Sequence, residues 1–446
     1  MIKKQGKIYE ELRAYLNELP VIDTHEHQIA LCSNNQELDI LSFLASCFYY
    51  PSDLYSASID YAGKAGSTDI ASKQDIVQFL RDSSNSFDDR YEVWLKFHKR
   101  TCYTAYAKAL FDGMRECWGL ADISKNSLLE TQEKMRSSRN QDFYDKLLEK
   151  YNIKKMIVNI ELLHILNGAR FNRQVCLFVL DLPSYHEINN MSSIRKPQLQ
   201  AILGRNIVTL DDYLEAFEKY LVKSIEFGIV GMKDQSAYTR RITYEYTDRG
   251  TAEKIFNKII SNPRDNFGTE EVRPLEDFLF HQFMHLADKY RLPVQIHTGH
   301  MAGLRNEIAK TNPANFTNAL ELHQNVKFDL FHGGWPFMGE FLFLGKNYPN
   351  VYLNMCWANA IDPLYSIEFF KRALFTVPHA KILGFGGDTG TLEMTIGYIE
   401  LAKDNIAYAL SDMIDMGWID MDSAKSISAD WLYNNPEDLF GLGGLL

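Results

Sequence analysis

The chain has 446 residues, 46% of them hydrophobic, which is long for one compact domain and short for three. Its 47 basic and 58 acidic residues give a net charge of −11, so it has no general electrostatic reason to bind nucleic acid or anionic membranes. The six cysteines are scattered without a CxxC spacing, which indicates reduced thiols in a cytoplasmic protein. We expect no transmembrane helix, because no run of about 18 apolar residues occurs, and no signal peptide, because the charged N-terminus lacks an apolar core.

The first elements along the chain are a helix, a strand and a long helical segment. Residues 8–18 carry a helical apolar pattern, and residues 21–25 form a short apolar run that predicts a strand. The next section is aromatic and helix-like, with no convincing strand. We therefore divide the chain into an N-terminal helix with the first strand, a helical insertion, and the remainder of a barrel: residues 1–29, 30–150 and 151–446.

From residue 151 onward, short apolar runs alternate with amphipathic stretches. Seven runs predict strands, at 154–160, 174–180, 228–233, 293–297, 326–332, 351–356 and 381–388. The clearest predicted helices between them are 210–227, with Thr209 as N-cap, 274–291 and 337–348. With the first strand this makes eight βα units, which predicts an α/β fold of the (β/α)8 TIM-barrel type. A doubly wound sheet is the alternative, but no GxGxxG follows the first strand and no GxxxxGK[ST] occurs.

Two histidines, His25 and His27, stand at the end of the first predicted strand with one residue between them. Residues two apart in an extended strand point to the same side, so the two imidazoles are suited to bind one metal ion. Packing inside the core is the alternative for such a pair. The pattern therefore predicts two ligands of a metal site, and the remaining ligands should come from other parts of the chain.

Polar residues also end several of the later predicted strands. Lys233 and Asp234 end the fourth, His297 the fifth, His332 the sixth and Asp388 the eighth. Active sites of (β/α)8 barrels lie at the carboxyl ends of the strands, so these side chains should meet. Imidazole and carboxylate are the usual ligands of zinc, and a zinc ion lowers the pKa of a bound water to about 7. The sequence therefore predicts a catalytic metal centre.

The motifs that carry these residues resemble those of a known family. They are DTHEH at the first strand, IHTG at the fifth, FHGG at the sixth and GGD at the eighth, together with the phrases KFDLFHGGWP, VYLNMCW and GFGGDT. In combination they are similar to the amidohydrolase superfamily, and within it to the amidohydrolase-related (amidohydrolase-2) metal-dependent hydrolases of TIM-barrel fold. The resemblance spans residues 20–28 and about 150–410 and carries no motif into the insertion.

The resemblance implies a role for each of these positions. His25, His27 and Asp388 would bind the principal divalent metal, zinc in preference to others, and His297 would be a further ligand. His332 would complete a second metal site or stand beside the reactive water. Lys233 matches the position of a carboxylated lysine that bridges two metal ions in some members. An unmodified Lys233, paired with Asp234 or with a substrate carboxylate, explains it equally well.

Further residues near the predicted site are candidates for substrate contacts. His300, Trp335 and Trp357 follow strands that carry site residues, and Arg240 could hold a substrate carboxylate. Packing or solvated surface roles are the alternative for each of them. His281 and His285 stand four residues apart on a predicted helix, a spacing that suits a metal, but they lie far from the predicted barrel mouth, and we favour packing for them.

The predicted function is that of a metal-dependent hydrolase that cleaves a C–N or C–O bond in a small polar molecule. Asp388 would take a proton from the attacking water and pass it to the leaving group, while His332 steadies the oxyanion or the water. A uronate isomerase, a metal-dependent decarboxylase and a non-catalytic ligand-binding barrel are the alternatives. We expect a small-molecule substrate, no nucleic acid and no membrane, and the sequence leaves homo-oligomerisation open.

Overall fold

Eight parallel strands form one sheet in chain order in this computed structural model, which describes residues 4, 6–27, 38–58, 73–159, 172 and 174–444. The strands are β1 Val21–Glu26, β2 Ile153–Asn159, β3 Cys176–Asp181, β4 Ile229–Asp234, β5 Val294–Ile296, β6 Phe328–Leu330, β7 Val351–Asn354 and β8 Ile382–Leu383. Each overlaps the predicted run. The prediction of an α/β TIM barrel is therefore confirmed.

The sheet curls until β8 approaches β1, which nearly closes the barrel. Backbone bonds bridge the remaining gap: Thr24 N–H donates to Phe385 O at 3.3 Å, and Asp388 N–H donates to His25 O at 2.8 Å. Every residue of β1, β3 and β4 is buried, as expected for parallel strands covered on both faces. The closure places the segment after β8 directly against the end of β1.

The described helices surround these strands. In chain order they are α1 Lys7–Glu18, α2 Ile40–Leu44, α3 Tyr50–Ser58, α4 Lys73–Arg81, α5 Phe87–Thr101, α6 Ala105–Trp118, α7 Lys125–Ser138, α8 Gln141–Lys150, α9 Pro183–His186, α10 Met191–Ile194, α11 Pro197–Leu203, α12 Leu210–Phe227, α13 Arg249–Ser261, α14 Thr269–Tyr290, α15 Thr317–Leu322, α16 Met338–Asn347, α17 Ala358–Ile361, α18 Pro363–Thr376, α19 Leu392–Asp415, α20 Met421–Ala429 and α21 Asn435–Phe440.

The predicted helices correspond to α1, α12, α14 and α16. Thr209 caps α12 as predicted, since its hydroxyl accepts from Asp212 N–H at 3.0 Å while the Asp212 carboxylate accepts from Thr209 N–H. Helix α14 begins at Thr269 rather than near residue 274, and Pro274 lies inside it. None of the helices described is long and apolar enough to cross a membrane.

The described parts of the chain between β1 and β2 contain helices α2 to α8, joined by turns, and no strand. Among the contacts that hold this segment to the barrel, the buried Glu393 carboxylate of α19 accepts from Arg139 Nε at 2.8 Å and from Tyr144 Oη at 3.2 Å. At the opposite end of the barrel, Leu439, Phe440 and Leu442 pack against strand residues that include Ile22 and Val230 in a small apolar cluster. The helical segment thus lies beside the end of the barrel where α19 begins, just after β8.

Candidate metal centre

Three of the predicted ligands converge where β1 meets the segment after β8. The Oδ1 atom of Asp388 lies 2.9 Å from His27 Nε2 and 3.8 Å from His25 Nε2. His25 is buried, while the His27 side chain keeps about a third of its surface exposed. Two imidazole nitrogens and a carboxylate oxygen within reach of one point form a set that could hold a divalent ion.

The GGD motif explains how Asp388 comes so close to β1. A Cβ atom on Gly387 would lie 2.1 Å from Glu26 Oε1, and one on Gly386 would lie 2.6 Å from Thr24 Oγ1. A larger residue at either position would displace these buried side chains, so glycine suits the close approach of the chain to β1 at this point. The backbone of Asp388 itself adopts a left-handed conformation with φ of 54°, a strained state for a non-glycine residue that clusters at functional sites.

The hydrogen bonding of His25 fixes which of its nitrogens faces the site. Nδ1 lies 3.0 Å from Gln295 Oε1, an atom that can only accept, so Nδ1 carries the proton. Nε2 then presents its lone pair, and this buried atom has no hydrogen-bond partner. A buried imidazole lone pair without a partner, oriented by an amide on the other nitrogen, fits a metal ligand. The residues present therefore suit a divalent ion.

His297 and His332 form a second pair beside the first. His332 Nδ1 donates to Cys356 O at 3.0 Å, and His297 Nε2 donates to His300 O at 2.8 Å. The two remaining nitrogens, His332 Nε2 and His297 Nδ1, face each other at 3.2 Å. Both then offer lone pairs, so the arrangement calls for a proton or a cation between them or next to them. Asp388 Oδ2 lies 3.8 Å from His332 Nε2 and joins the two pairs.

Burial keeps His25, His297 and His332 neutral, and the imidazoles around Asp388 keep its carboxylate charged. Removal from water, with the nearby Lys233 ammonium, lowers the pKa of His297 to about 3 and holds the pKa values of His25 and His332 well below the usual range. Burial alone would raise the pKa of Asp388, but the hydrogen bond from His27 and the facing imidazoles hold it well below its usual range. Neutral imidazole and ionised carboxylate are the forms that bind metal.

Lys233 is buried at the end of β4. Its Nζ lies 3.4 Å from the centre of the Phe331 ring and has no hydrogen-bond partner. Burial, opposed by the charge of Asp388, lowers its pKa to about 8. The alternative pairing with Asp234 does not occur, because strand alternation turns Asp234 away, where its carboxylate meets His186 Nε2 at 2.8 Å. Lys233 thus faces the site, and its role there stays a prediction.

The predicted substrate residues divide into two groups. His300, Trp335 and Trp357 lie together, with ring centroids of His300 5.2 Å from Trp335 and 4.8 Å from Trp357, and Trp357 also meets the His332 ring at 5.1 Å. Arg240 lies elsewhere, buried against α14, where it donates to Glu276 at 3.0 Å and to Asp277. These helix carboxylates hold the guanidinium in the protein, so the geometry gives no support to our prediction that Arg240 contacts substrate.

Three contributors to the site carry no signal strong enough to be singled out in the sequence. Gln295 orients His25, and its one clue is its place two residues before His297, on the same face of β5. Cys356 follows β7 at the same edge and joins His332 and Asp388 in a second group of convergent ligand atoms. Tyr49 Oη donates to Asp388 O at 2.7 Å, and its ring stacks on Trp357 at 3.9 Å. No motif marks Tyr49, because only folding brings the helical segment to this place.

Solved structures of similar fold include uronate isomerases and a protein provisionally described as a hydrolase. A uronate isomerase from Thermotoga maritima is 16% identical, with a TM-score of 0.75 and 98% of each chain covered. A protein of Lactobacillus casei, provisionally described as a metal-dependent hydrolase, is 14% identical, with a TM-score of 0.68 and 98% of each chain covered. At this level of identity both similarities concern the fold.

Sequence comparison gives a relative and a family. Protein fluG of Emericella nidulans is 25% identical over 228 residues, a match that covers 48% of this chain and 26% of fluG, so the chain spans about a quarter of that relative's length. The family model described as amidohydrolase matches residues 138–442, which is most of the chain and includes β2 to β8. The chain therefore belongs to the amidohydrolase family.

Proposed function

We propose that this amidohydrolase is a metal-dependent hydrolase that cleaves a C–N or C–O bond in a small polar molecule. The observation that carries the proposal is the position of the Asp388 carboxylate. One oxygen is directed at the imidazoles of His25 and His27, and the other at His332. A single carboxylate can therefore help to hold a cation and exchange a proton on its other side.

The chemistry divides among the chain's own residues. A divalent ion bound by His25, His27 and Asp388, zinc in our proposal, would acidify water and polarise a carbonyl. Asp388 accepts the proton released as water attacks and passes it to the departing nitrogen or oxygen. The neutral His332 orients the attacking water through Nε2. Trp357 and His300 pack beside His332 and limit the access of bulk water.

A uronate isomerase is the second candidate. It is favoured by the similarity in fold to the Thermotoga maritima isomerase over nearly the full chain. An aldose–ketose isomerisation moves a proton between adjacent carbon atoms and needs no attacking water, so Asp388 and His332 would serve as the proton carriers. No contact in the described site favours decarboxylation, and none favours ligand binding without catalysis.

The experiment measures the change in mass of candidate substrates with the zinc-loaded and the chelator-treated protein. Small amides, esters and lactones are tested beside glucuronate and galacturonate. Hydrolysis adds the elements of water and yields acid and amine or alcohol, whereas isomerisation leaves the mass unchanged and converts an aldehyde into a ketone. We expect metal-dependent addition of water. If only the uronates were converted, the protein would be an isomerase rather than a hydrolase. Metal binding without turnover of any substrate would favour the non-catalytic barrel.

The proposed setting and partners of the enzyme follow from its composition. The chain would act in the cytoplasm, where its cysteines stay reduced, and its partners would be small molecules rather than nucleic acid or membrane.

The Asp388→Asn variant tests the role of this carboxylate in the turnover assay, because it removes the charge, the proton acceptor and a proposed metal ligand with little change in shape. We expect turnover to fall by about 10²–10⁴-fold, the range for loss of a general base.

A further inference from the structure

A cluster of three histidines lies on the outer wall of the barrel, apart from the metal centre. His281 and His285 stand four residues apart on one face of α14, and His323 follows α15 in the turn before β6. The three side chains line a surface pocket of about 360 Å³ together with Tyr246 and other neighbours. The helical spacing pairs His281 with His285, but only the fold adds His323, which is distant in the chain.

Hydrogen bonds orient the two inner rings of this cluster toward each other. His281 Nε2 donates to Glu245 O at 3.2 Å, so its Nδ1 carries a lone pair. That Nδ1 lies 2.8 Å from His323 Nε2, which therefore supplies the hydrogen between them. Burial lowers the pKa of His281 and lowers that of His323 to about 3, so both rings are neutral at physiological pH.

The third ring lies beside the other two and would have to turn to complete a ligand set. The His285 ring meets the His323 ring edge to face, with centroids 5.2 Å apart, and the His285 side chain is exposed, so its ring is free to turn toward the other two. Histidines at positions i and i+4 of a helix share one face and are a recurrent metal-binding spacing. Tetrahedral zinc with bonds of about 2.0–2.1 Å separates two nitrogens by about 3.3 Å. The present 2.8 Å between His281 and His323 would need to open by about 0.5 Å.

We propose that His281, His285 and His323 form a peripheral site for a borderline transition-metal ion such as Zn²⁺, Cu²⁺ or Ni²⁺. Metal binding replaces the hydrogen bond between His281 and His323: the proton on His323 Nε2 is lost and another is taken up from solvent at Nδ1, so that His323 stays neutral and offers Nε2 to the ion. Three neutral imidazoles without a carboxylate favour these ions over Mg²⁺ or Ca²⁺, which require oxygen ligands. Because the site joins α14 to the turn before β6, its occupation should also stabilise the contact between these two βα units.

The test is a titration of the full-length, metal-stripped protein with Cu²⁺, followed by calorimetry and electron paramagnetic resonance. We expect His285→Ala and His323→Gln to bind one copper ion fewer per chain than the unmodified protein, with loss of one set of nitrogen couplings. Because the His285 side chain is exposed, the His285→Ala variant should fold like the unmodified protein. The control is His379→Ala, which removes another partly exposed histidine and should bind copper like the unmodified protein.

The same titration separates this site from the metal centre. In a His25→Ala variant the centre is impaired, yet the peripheral ion should still bind, so the result does not depend on any enzymatic activity. Equal copper stoichiometry and unchanged spectra in His285→Ala, His323→Gln and the unmodified protein would overturn the proposal. A loss of the same ion in His379→Ala would also overturn it, since binding would then not be specific to the three histidines.

Discussion

At the residue scale, the contact between Gln295 and His25 decides how the metal centre is presented. The amide oxygen of Gln295 holds the proton of His25 on Nδ1, at 3.0 Å, and leaves Nε2 to the site. The same amide donates to Thr24 O at 2.9 Å, which fixes which end of the amide faces His25. The tautomer of His25 is therefore determined by a side chain of β5, which lies across the barrel from β1, rather than by its own strand.

We predict that Gln295→Leu weakens metal binding by about 10–100-fold, the range for partners that orient a ligand histidine. Leucine removes the acceptor, so the His25 ring can turn or exchange its tautomer. Metal affinity is measured by competition with a coloured chelator, and unfolding is followed in parallel because Thr24 O loses its donor. Unchanged affinity in a folded variant would show that Gln295 does not orient the ligand. The exposed Gln324→Leu serves as control.

A second residue-scale prediction concerns Asp329, buried in β6. Its Oδ2 accepts from Asn354 Nδ2 at 3.0 Å and Gln295 Nε2 at 3.3 Å, and burial outweighs these bonds and raises its pKa to about 7. Between the usual value of 3.8 and about 7, the folded carboxyl keeps a proton that the unfolded chain releases. The contribution of this group to stability is therefore full below this window and is lost as pH rises through it.

Asp329→Asn tests this, because asparagine resembles the protonated carboxyl and does not titrate. We expect the free energy of unfolding of the metal-free variant to depend less on pH than that of the unmodified protein between about pH 4 and 7. The difference in slope is at most about 1.4 kcal/mol per pH unit. Urea unfolding at several pH values measures it. Parallel stability curves for the two proteins would mean that Asp329 titrates normally.

At the element scale, the crossing of α6 and α19 holds the helical segment against the barrel. A Cβ atom on Gly397 would lie 1.9 Å from Ala109 O, and one on Gly113 would lie 2.0 Å from Glu393 O. The two helix backbones are therefore in contact, and each crossing point requires a glycine. Helix α19 begins just after Asp388, so the crossing ties the segment that carries Tyr49 to the edge of the metal centre.

We predict that Gly397→Ala destabilises the protein by about 1–3 kcal/mol, the cost of overpacking a close contact. The same substitution in an open helix position should instead stabilise by up to about 1 kcal/mol, because alanine is the better helix former. Gly339→Ala in α16 is that control, since a Cβ atom added there would meet nothing within 4 Å. Urea unfolding of both variants measures the difference, and stabilisation by Gly397→Ala would contradict the crossing.

At the scale of the whole molecule, the metal centre joins the two ends of the barrel sheet. His25 and His27 lie at the end of β1, and Asp388 follows β8. An ion bound by all three would therefore link β1 to the segment after β8, in addition to the backbone hydrogen bonds between them. An ion that binds only the folded chain stabilises it by about 2.7 kcal/mol at a free concentration one hundred times the dissociation constant. Metal should therefore contribute to global stability as well as to chemistry.

We predict that chelator treatment lowers the midpoint of thermal unfolding and that added zinc restores it. The Asp388→Asn, His285→Ala double variant should respond to neither treatment, because it lacks both the ligand that joins the two strands and the peripheral site. Differential scanning calorimetry of both proteins provides the measurement, with His285→Ala included to separate any effect of the peripheral histidines. An Asp388→Asn protein that is stabilised by zinc as strongly as the unmodified one would refute a shared ion between β1 and β8.

Much of the barrel fold could be predicted from the sequence, because its strands and helices depend on local patterns. Alternating apolar runs predicted all eight strands, and Thr209 marked the start of α12. The rule that functional residues gather at the carboxyl ends of barrel strands assigned His25, His27, His332 and Asp388 to one edge. Arg240 shows the limit of such reasoning, since its two carboxylate partners on α14 could not be recognised from the sequence.

The order of residues alone determined which side chains lie at the carboxyl end of the barrel. The alternation of residues along a strand and the position where the strand ends both depend on short segments of sequence. The orientation of these side chains was decided by the tertiary structure, as in the tautomer of His25 and the facing nitrogens of His297 and His332. The fold also decided the contacts of Tyr49 and His323 with residues distant in the sequence. These depend on hydrogen bonds between elements far apart in the chain. Such bonds follow from how helices and strands pack, and no local pattern encodes them.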